Sequence, residues 1–329
     1  MKVLVTGAAG FIGSHLVDRL LDDGHTVIGL DRFSIGVEQH IINNKYKRKF
    51  IPFMVDISKI KDVKEEYFEK VDWVFHLAGR STIVQSVKHP LDYHAVNVTG
   101  TINTLEVARR AKVKRFIYAA SSSCYGIPER YPTSETASIL PQYPYALTKY
   151  MGELYALHWG QVYKLPVVSL RLFNVYGPRV RTFGDYGPVF SIFLAKKLAG
   201  VPYTVVGSGT QRRDFTYVSD VVNAFITAAK SNFKNEVFNV GSGGTYSINQ
   251  LVKHLGGPVI YIPKRPGEPD CTYADITKIK KMLRWKPQVS FVSGVRKVID
   301  NINYWQNAPV WTPAKIKIAT REWFKYLAA

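Results

Sequence analysis

The sequence predicts an α/β fold built on a doubly wound parallel sheet, followed by a smaller α/β domain. Three observations carry that expectation. Apolar runs about one strand long alternate with helical patterns through the first half of the chain. A glycine-rich turn, Gly7-Ala8-Ala9-Gly10-Phe11-Ile12-Gly13, stands between the first such run and the first helical pattern. An acidic residue, Asp31, closes the second run.

Lys2–Thr6 reads as a strand, residues 11–21 as an amphipathic helix and 26–30 as a second strand. Residues 50–55, Trp73–His76, 115–120 and 167–171 continue the strand series, and the longest helical segments between them span 91–111 and 145–162. After residue 171 the pattern loosens as Gly and Pro become frequent, at Gly177-Pro178, Gly187-Pro188 and from Pro263 to Pro269. The expected organisation is a dinucleotide-binding domain over residues 1–170, joined by about 215–240. A substrate domain follows over 171–214 and 241–306, and a helical extension over 307–329.

At 329 residues, 46% hydrophobic and 21% charged, the chain is long enough to bury a sizeable core. Its two cysteines, Cys124 and Cys271, make no disulfide framework and lack metal-ligand spacing, so a reducing compartment and no metal are expected. No run approaches the roughly 18 apolar residues of a membrane span, and the N-terminus lacks the layout of a signal peptide. A cytoplasmic protein is the default reading. The net charge of +19 invites a nucleic-acid partner, but the basic residues are dispersed and the densest run, 45–49, is short. An anionic, pyrophosphate-bearing substrate accounts for part of the charge more economically.

Gly7 and Gly10 allow a tight turn and let backbone N–H groups approach a pyrophosphate at a helix N-terminus, while Gly13 lets helix and strand pack closely. Phe11 and Ile12 open that helix. Asp31, 18 residues after Gly13, suits the adenosine ribose hydroxyls and repels a 2′-phosphate, which favours NAD over NADP. Arg32 beside it is the one feature that would tolerate the phosphate. Asp56-Ile57 after the third strand and Leu77-Ala78 at the end of the fourth complete the Rossmann-type candidate NAD site.

Tyr145-Ala146-Leu147-Thr148-Lys149 sets a phenol and an ammonium one helical turn apart. A tyrosine titrating at about 10 is a poor base near neutrality, and a nearby cation favours its phenolate. Lys149 also suits the nicotinamide ribose. Ser121-Ser122-Ser123 follows the fifth strand, 24 residues before Tyr145, where ligands bind in open α/β sheets. A hydroxyl there can bond a sugar hydroxyl and relay its proton to Tyr145. At least one of the three serines is expected only to cap its own turn.

These residues resemble the extended short-chain dehydrogenase/reductases of the sugar-nucleotide epimerase and dehydratase group, close to UDP-glucose/UDP-N-acetylglucosamine 4-epimerases. The resemblance covers about residues 1–300. It rests on GAAGFIG, HLAG at 76–79, SSSCYG at 121–126, YALTK, RLFNVYGPR at 171–179, RRDFTYVSD at 212–220, NVGSG at 239–243 and RPGEPDCTYAD at 265–275. It implies that Asn174, Arg213 and Arg265 contact the nucleotide portion of the substrate, the arginines gripping its diphosphate. It implies further that Glu268 holds the nucleotide ribose, and that the chain is a homodimer through the 91–111 and 145–162 helices.

Family members share a first step in which the tyrosine takes the C4 hydroxyl proton while hydride leaves C4 for NAD⁺. The resembling 4,6-dehydratases carry Asp-Glu after the catalytic serine or threonine, and UDP-glucuronate decarboxylases a glutamate at the second position. Here those positions are Ser122 and Ser123. With no extra acid–base pair, the 4-keto sugar can only turn over and take hydride back, which is 4-epimerisation of a UDP-hexose.

The resemblance further implies that Thr272 stands where epimerases limited to UDP-glucose and UDP-galactose often carry a tyrosine beside the sugar's C2 substituent, so space for N-acetylhexosamines is expected. A uronic acid would instead want a cation, from Arg80 or Arg181. The open alternatives are a UDP-glucuronate 4-epimerase, a 4-dehydrogenase or reductase with exchangeable cofactor, and a non-catalytic dinucleotide sensor. Residues 307–329 exceed the usual family length, and Trp311, Trp323, Phe324 and Tyr326 are expected to pack against the protein's own body or a subunit neighbour.

Overall fold

The computed structural model describes residues 1–33, 49–180, 184 and 186–327. The basic run therefore lies outside the described residues except for Lys49. Seven strands form one parallel sheet: β1 (Lys2–Thr6), β2 (Thr26–Asp31), β3 (Phe50–Met54), β4 (Trp73–His76), β5 (Arg115–Ser121), β6 (Val167–Leu172) and β7 (Glu236–Val240). Their spatial order is β7-β6-β5-β4-β1-β2-β3, every neighbouring pair being parallel. The expected strand bounds agree with these to within one residue.

The strands are apolar on both faces because helices cover both. Val3, Val5, Phe75, Ile117, Val168 and Leu170 point into one core, shared with Leu16, Val17 and Leu20 of α1 (Phe11–Asp22). Leu4, Val74, Phe116, Tyr118 and Val167 point into the other, shared with Leu105 and Ala108 of α2 (Gly100–Arg110) and Ala156 of α3 (Pro144–Tyr163). This period-two division between two buried layers is what a doubly wound sheet requires. The chain reverses its winding between β1 and β4, and ligands bind at such a switch point, outside the carboxyl ends of the strands.

The helix expected over 91–111 is interrupted. Pro90–His94 and α2 are α-helical, but Ala95–Thr99 between them is one turn of π-helix. The wide turn has a visible cause in Asn97, whose side chain is buried and bonded away from its own helix, to the backbone of Arg80 and to Thr148.

A third core gathers aromatic rings from the second half: Tyr176, Phe190, Phe193, Phe215, Phe291, Trp305 and Trp323. Around it stand two parallel strand pairs, Asn174–Tyr176 with Phe215–Tyr217 and Tyr203–Val206 with Val259–Ile262, and one antiparallel pair, Arg212–Arg213 with Tyr246–Ser247. Helix α4 (Val218–Lys230) returns the chain to the sheet beside α1. The C-terminal segment forms α5 (Pro313–Ala319) and α6 (Arg321–Leu327), anchored by the buried Ile316 and Trp323. Among the described residues no helix is long and apolar enough to cross a membrane, and no group of His, Cys, Asp and Glu could hold a metal ion.

Candidate active site

The glycine-rich turn closes against the end of β4. Gly7 has a φ of +69°, and a Cβ there would lie 2.7 Å from the backbone nitrogen of Ala78, so the left-handed turn and the neighbouring strand together require glycine. A Cβ on Gly13 would collide with the Gly7 carbonyl, which accounts for the third glycine. Gly10 caps the N-terminus of α1, and Phe11 and Ile12 begin it. The carboxylate of Asp31, at the end of β2, accepts the N–H of Ala9 at 3.0 Å and of Phe33 at 3.1 Å. Burial raises its pKa, and those two donors oppose the rise. The acid is thus fixed beside the turn.

Asp56 accepts from the backbone and hydroxyl of Ser58 at 3.1 and 2.7 Å, and it shares Arg32, whose Nε lies 3.8 Å from its carboxylate. Burial works to raise Asp56, but the Ser58 bonds together with the charges of Arg32 and Lys59 outweigh it and its pKa falls. The cation beside Asp31 is therefore engaged with Asp56. Ile57 is buried against the opposite layer.

Leu77 and Ala78 are held by Thr6, the first through its carbonyl at 3.2 Å and the second through its hydroxyl at 3.1 Å. Thr101 donates its hydroxyl to the Asn97 carbonyl, so His76 Nε2, 3.0 Å from that hydroxyl, carries the proton. His76 Nδ1 then accepts from Thr6 at 2.9 Å. Complete burial, together with the Lys149 cation, holds this imidazole neutral, its pKa pushed down to about 3. It is a neutral strut that holds Thr6 beneath Ala78.

Tyr145 and Lys149 lie on the first turns of α3, which Pro144 opens at a position where its missing N–H costs nothing. Burial raises the Tyr145 pKa, and a hydrogen bond from Ser121 works against the rise. Ser123 contributes to Ser121 twice, its Oγ lying 2.8 Å and its N–H 3.2 Å from Ser121 Oγ. The Ser121 and Ser123 hydroxyls are thus linked, with Ser121 near enough to the phenol to oppose the upward shift of its pKa. Ser122, half-buried, opens the 3-10 turn and carries no carboxylate toward the site.

Lys149 is buried, and burial pulls its ammonium down to about 7 against the pull of Glu153. Its Nζ lies 4.4 Å from the centre of the Tyr118 ring, and Tyr118 bonds the Lys149 carbonyl at 3.1 Å. Gly79 lets Asn97 approach closely, since a Cβ there would lie 3.0 Å from Asn97 Oδ1.

Arg265 makes an ion pair with Glu268 at 3.0 Å, and its Nη2 donates to Tyr186 at 3.2 Å. Its Nε is buried and, among the described residues, finds no partner. A buried guanidinium with a spare donor suits a phosphate oxygen. Arg213 belongs to the same cluster, its charge felt by Glu268, Tyr143 and Arg265, and burial lowers its pKa. Thr272 donates to Asn174 Oδ1 at 2.7 Å and accepts the Asp214 N–H at 3.2 Å, which brings those two candidates together. Of the cations considered for a uronate, Arg80 is taken up by Asp92 at 3.4 Å and the face of Tyr93. Arg181 lies outside the described residues.

Sequence reasoning passed over Asn97, Glu153, Tyr118 and Tyr143. Tyr143 stacks beside Tyr145 with ring centres 6.5 Å apart, and its pKa is raised by burial and by the nearness of Tyr145 and Glu268. It therefore stands between the Tyr145 end of the site and the arginine cluster. Its place two residues before Tyr145 was the one available signal.

The turn at Gly7, the fixed Asp31 and the Tyr145–Lys149 helix define a dinucleotide-dependent enzyme of the short-chain dehydrogenase/reductase type. Residues 3–241 match the NAD dependent epimerase/dehydratase family, and the chain belongs to that family of sugar-nucleotide enzymes. It is 38% identical to the UDP-glucose 4-epimerase of Mycolicibacterium smegmatis, over 91% of this chain and 98% of that one. The UDP-glucuronic acid 4-epimerase of Bacillus cereus, solved with UDP-glucuronic acid and NAD, superposes with a TM-score of 0.86 at 33% identity, over 92% of this chain and 99% of the other. The UDP-N-acetylglucosamine 4-epimerase of Methanobrevibacter ruminantium M1, solved with UDP-N-acetylmuramic acid, gives 0.86 at 32% identity, over 92% and 98%. The enzyme is NAD-dependent, and these relatives act on different UDP-sugars.

Proposed function

We propose that this protein is an NAD-dependent 4-epimerase of UDP-hexoses, taking UDP-GlcNAc and UDP-GalNAc or UDP-Glc and UDP-Gal. The observation that carries the reading is the linked Ser121–Ser123 hydroxyl pair beside Tyr145, with serines alone at the positions where the resembling dehydratases and decarboxylases carry carboxylates. Residues 1–170 with 215–240 hold the cofactor, through Gly7, Gly10, Phe11, Ile12, Gly13, Asp31, Asp56, Ile57, Leu77 and Ala78. NAD⁺ held by these residues would supply a reversible hydride acceptor for C4 of the sugar.

Residues 171–214 and 241–306 hold the substrate. Arg213 and Arg265 bind the diphosphate, Glu268 the ribose, and Asn174 and Thr272 face the sugar nucleotide. Tyr145 takes the proton of the C4 hydroxyl, Ser121 keeps the phenol oxygen polarised, and Lys149 holds the nicotinamide ribose. After the sugar turns over, Tyr145 returns the proton to the C4 oxygen on the opposite face. A homodimer through the 91–111 and 145–162 helices fits the exposed Leu91, Leu147, Leu154 and Val162 on them.

The test is to incubate the purified protein, without added cofactor, with UDP-GlcNAc, UDP-Glc and UDP-GlcA and follow each sugar by NMR. Inversion at C4 of a hexose or N-acetylhexosamine, abolished by Tyr145→Phe, is the expected result. Inversion of UDP-GlcA alone, or of none, would overturn the proposal.

A further inference from the structure

The C-terminal extension reaches into the candidate site at two points. Trp323 of α6 is completely buried, and its indole N–H donates to the carbonyl of Pro266 at 2.8 Å. Its ring lies 5.4 Å from that of Tyr143, the neighbour of Tyr145. Trp311, just before α5, meets the ring of Tyr186 edge-on at 5.4 Å. That ring lies 5.3 Å beneath the Arg265 guanidinium and bonds it. The extension thus touches the peptide that follows Arg265 and the ring that supports it.

The loop these contacts reach is poor at holding itself. Residues 263–269 form no helix or strand, and Pro263, Pro266 and Pro269 have no N–H to give to a ladder. Its own side-chain ties are the Arg265–Glu268 pair and an exposed Lys264–Asp270 pair across its ends. An external donor at the Pro266 carbonyl therefore ties down the Pro266–Gly267 peptide, which lies between Arg265 and Glu268. The family match ends at residue 241, far short of this segment.

We infer that Trp323 is a positioning residue for substrate binding: the C-terminal extension braces the Arg265–Glu268 loop and so sets affinity for the nucleotide diphosphate, with little influence on the chemistry at Tyr145. This rests on the proposed role of Arg265 at the diphosphate. Loss of one neutral hydrogen bond corresponds to a fall of about three- to tenfold in affinity.

The experiment is calorimetric titration of the NAD-loaded enzyme with UDP, beside steady-state epimerisation, for wild type, Trp323→Phe, Arg265→Gln and Trp305→Phe. Trp305 provides the structural control, because its buried indole donates to the Val180 carbonyl at 3.1 Å, away from the loop. Trp323→Phe is expected to weaken UDP binding about three- to tenfold, raising KM in step while kcat stays within about twofold. Trp305→Phe should lower the melting temperature without moving UDP affinity. Unchanged affinity in Trp323→Phe, with weakened binding in Arg265→Gln, overturns this inference alone, as would equal weakening in Trp305→Phe. Unchanged affinity in both Trp323→Phe and Arg265→Gln overturns the reading of Arg265 as well. If Trp323→Phe fails to fold, Trp311→Leu gives the same readout through Tyr186, and an unmoved UDP affinity there counts equally against the brace.

Discussion

Glu153, one turn beyond Lys149 on α3, holds Arg171 of β6 inside the protein: Nη2 lies 2.6 Å from Oε1, and Nε lies 3.1 Å from both oxygens. Ser169 donates to the same carboxylate at 2.8 Å. Arg171 extends the connection to the Tyr125 hydroxyl at 2.9 Å, and Tyr125 donates to Asn239 Oδ1 at 2.7 Å. One buried network therefore ties the helix of Tyr145 and Lys149 to β6, β7 and the turn after β5.

Removing one partner of such a pair leaves the other charged and uncompensated, so Glu153→Gln should cost about 3–5 kcal/mol. The double variant Glu153→Leu/Arg171→Met should cost much less than the sum of its single changes, because no charge is stranded. Urea unfolding of wild type, Glu153→Leu, Arg171→Met and the double variant measures this, with Glu153→Gln alongside. Additive losses would mean that Arg171 is satisfied by Tyr125 and the Glu135 carbonyl without the carboxylate.

Lys149 gives a pH-dependent prediction. Burial lowers its folded-state pKa to about 7 from the ordinary 10.5. Between those values the unfolded chain holds a proton that the folded chain has released, so this residue makes the cofactor-free protein more stable as pH rises through the window. Below about 7 both states are protonated and the full cost of burying the ammonium is felt. Lys149→Met removes that cost, so its stability advantage over wild type should be largest at low pH and shrink by about 1 kcal/mol per pH unit across the window. Denaturation midpoints at two pH values on either side of neutrality check this, and a constant difference between the proteins would refute it.

Ser121→Ala should act through the Tyr145 pKa. The hydrogen bond from Ser121 opposes the upward push of burial, so without it the phenol titrates higher and a smaller fraction is ionised at neutrality. The acidic limb of kcat/KM should move to higher pH and the neutral-pH value fall about a hundredfold, with UDP affinity unchanged. Ser123→Ala, which removes only one of two donors to Ser121, should shift the limb in the same direction by less. A drop in activity with no movement of the limb would mean that Ser121 serves the sugar and not the phenol.

The parts of this site that were legible in the sequence are those built from local chemistry. The glycine turn, Asp31 at a strand end and the Tyr145–Lys149 spacing each state their geometry within a few residues. Ser121 follows from the rule that sites lie at the carboxyl ends of strands. What escaped was fixed by partners far away in the chain. Asn97 makes its turn because Thr148, 51 residues on, accepts its side chain, and a helical pattern cannot announce that. The spacing of Glu153 from Lys149 was visible, yet its role waits on Arg171 being brought alongside by β6. Trp323 read as an apolar residue on a helix, and only its Pro266 partner, 57 residues away, turns it toward the site.

Thr272 carries the prediction about sugar size, and its contacts decide how that must be tested. Its hydroxyl donates to Asn174 Oδ1 and accepts the Asp214 N–H, so a substitution there changes the posture of Asn174 as well as the space beside it. Thr272→Val removes the hydrogen bonds at nearly constant volume, whereas Thr272→Tyr removes them and adds an aromatic ring. Two effects are then separable. Loss of Asn174 positioning should lower turnover of UDP-Glc and UDP-GlcNAc alike, about equally in both variants. Loss of space should appear in Thr272→Tyr alone, as a fall of at least about a hundredfold in kcat/KM for UDP-GlcNAc relative to UDP-Glc, since an added ring must displace an acetamide and not merely a methylene. Parallel assays of the three proteins on the two substrates give the ratio directly. An unchanged UDP-GlcNAc to UDP-Glc ratio in Thr272→Tyr would show that the C2 substituent is housed elsewhere in the site.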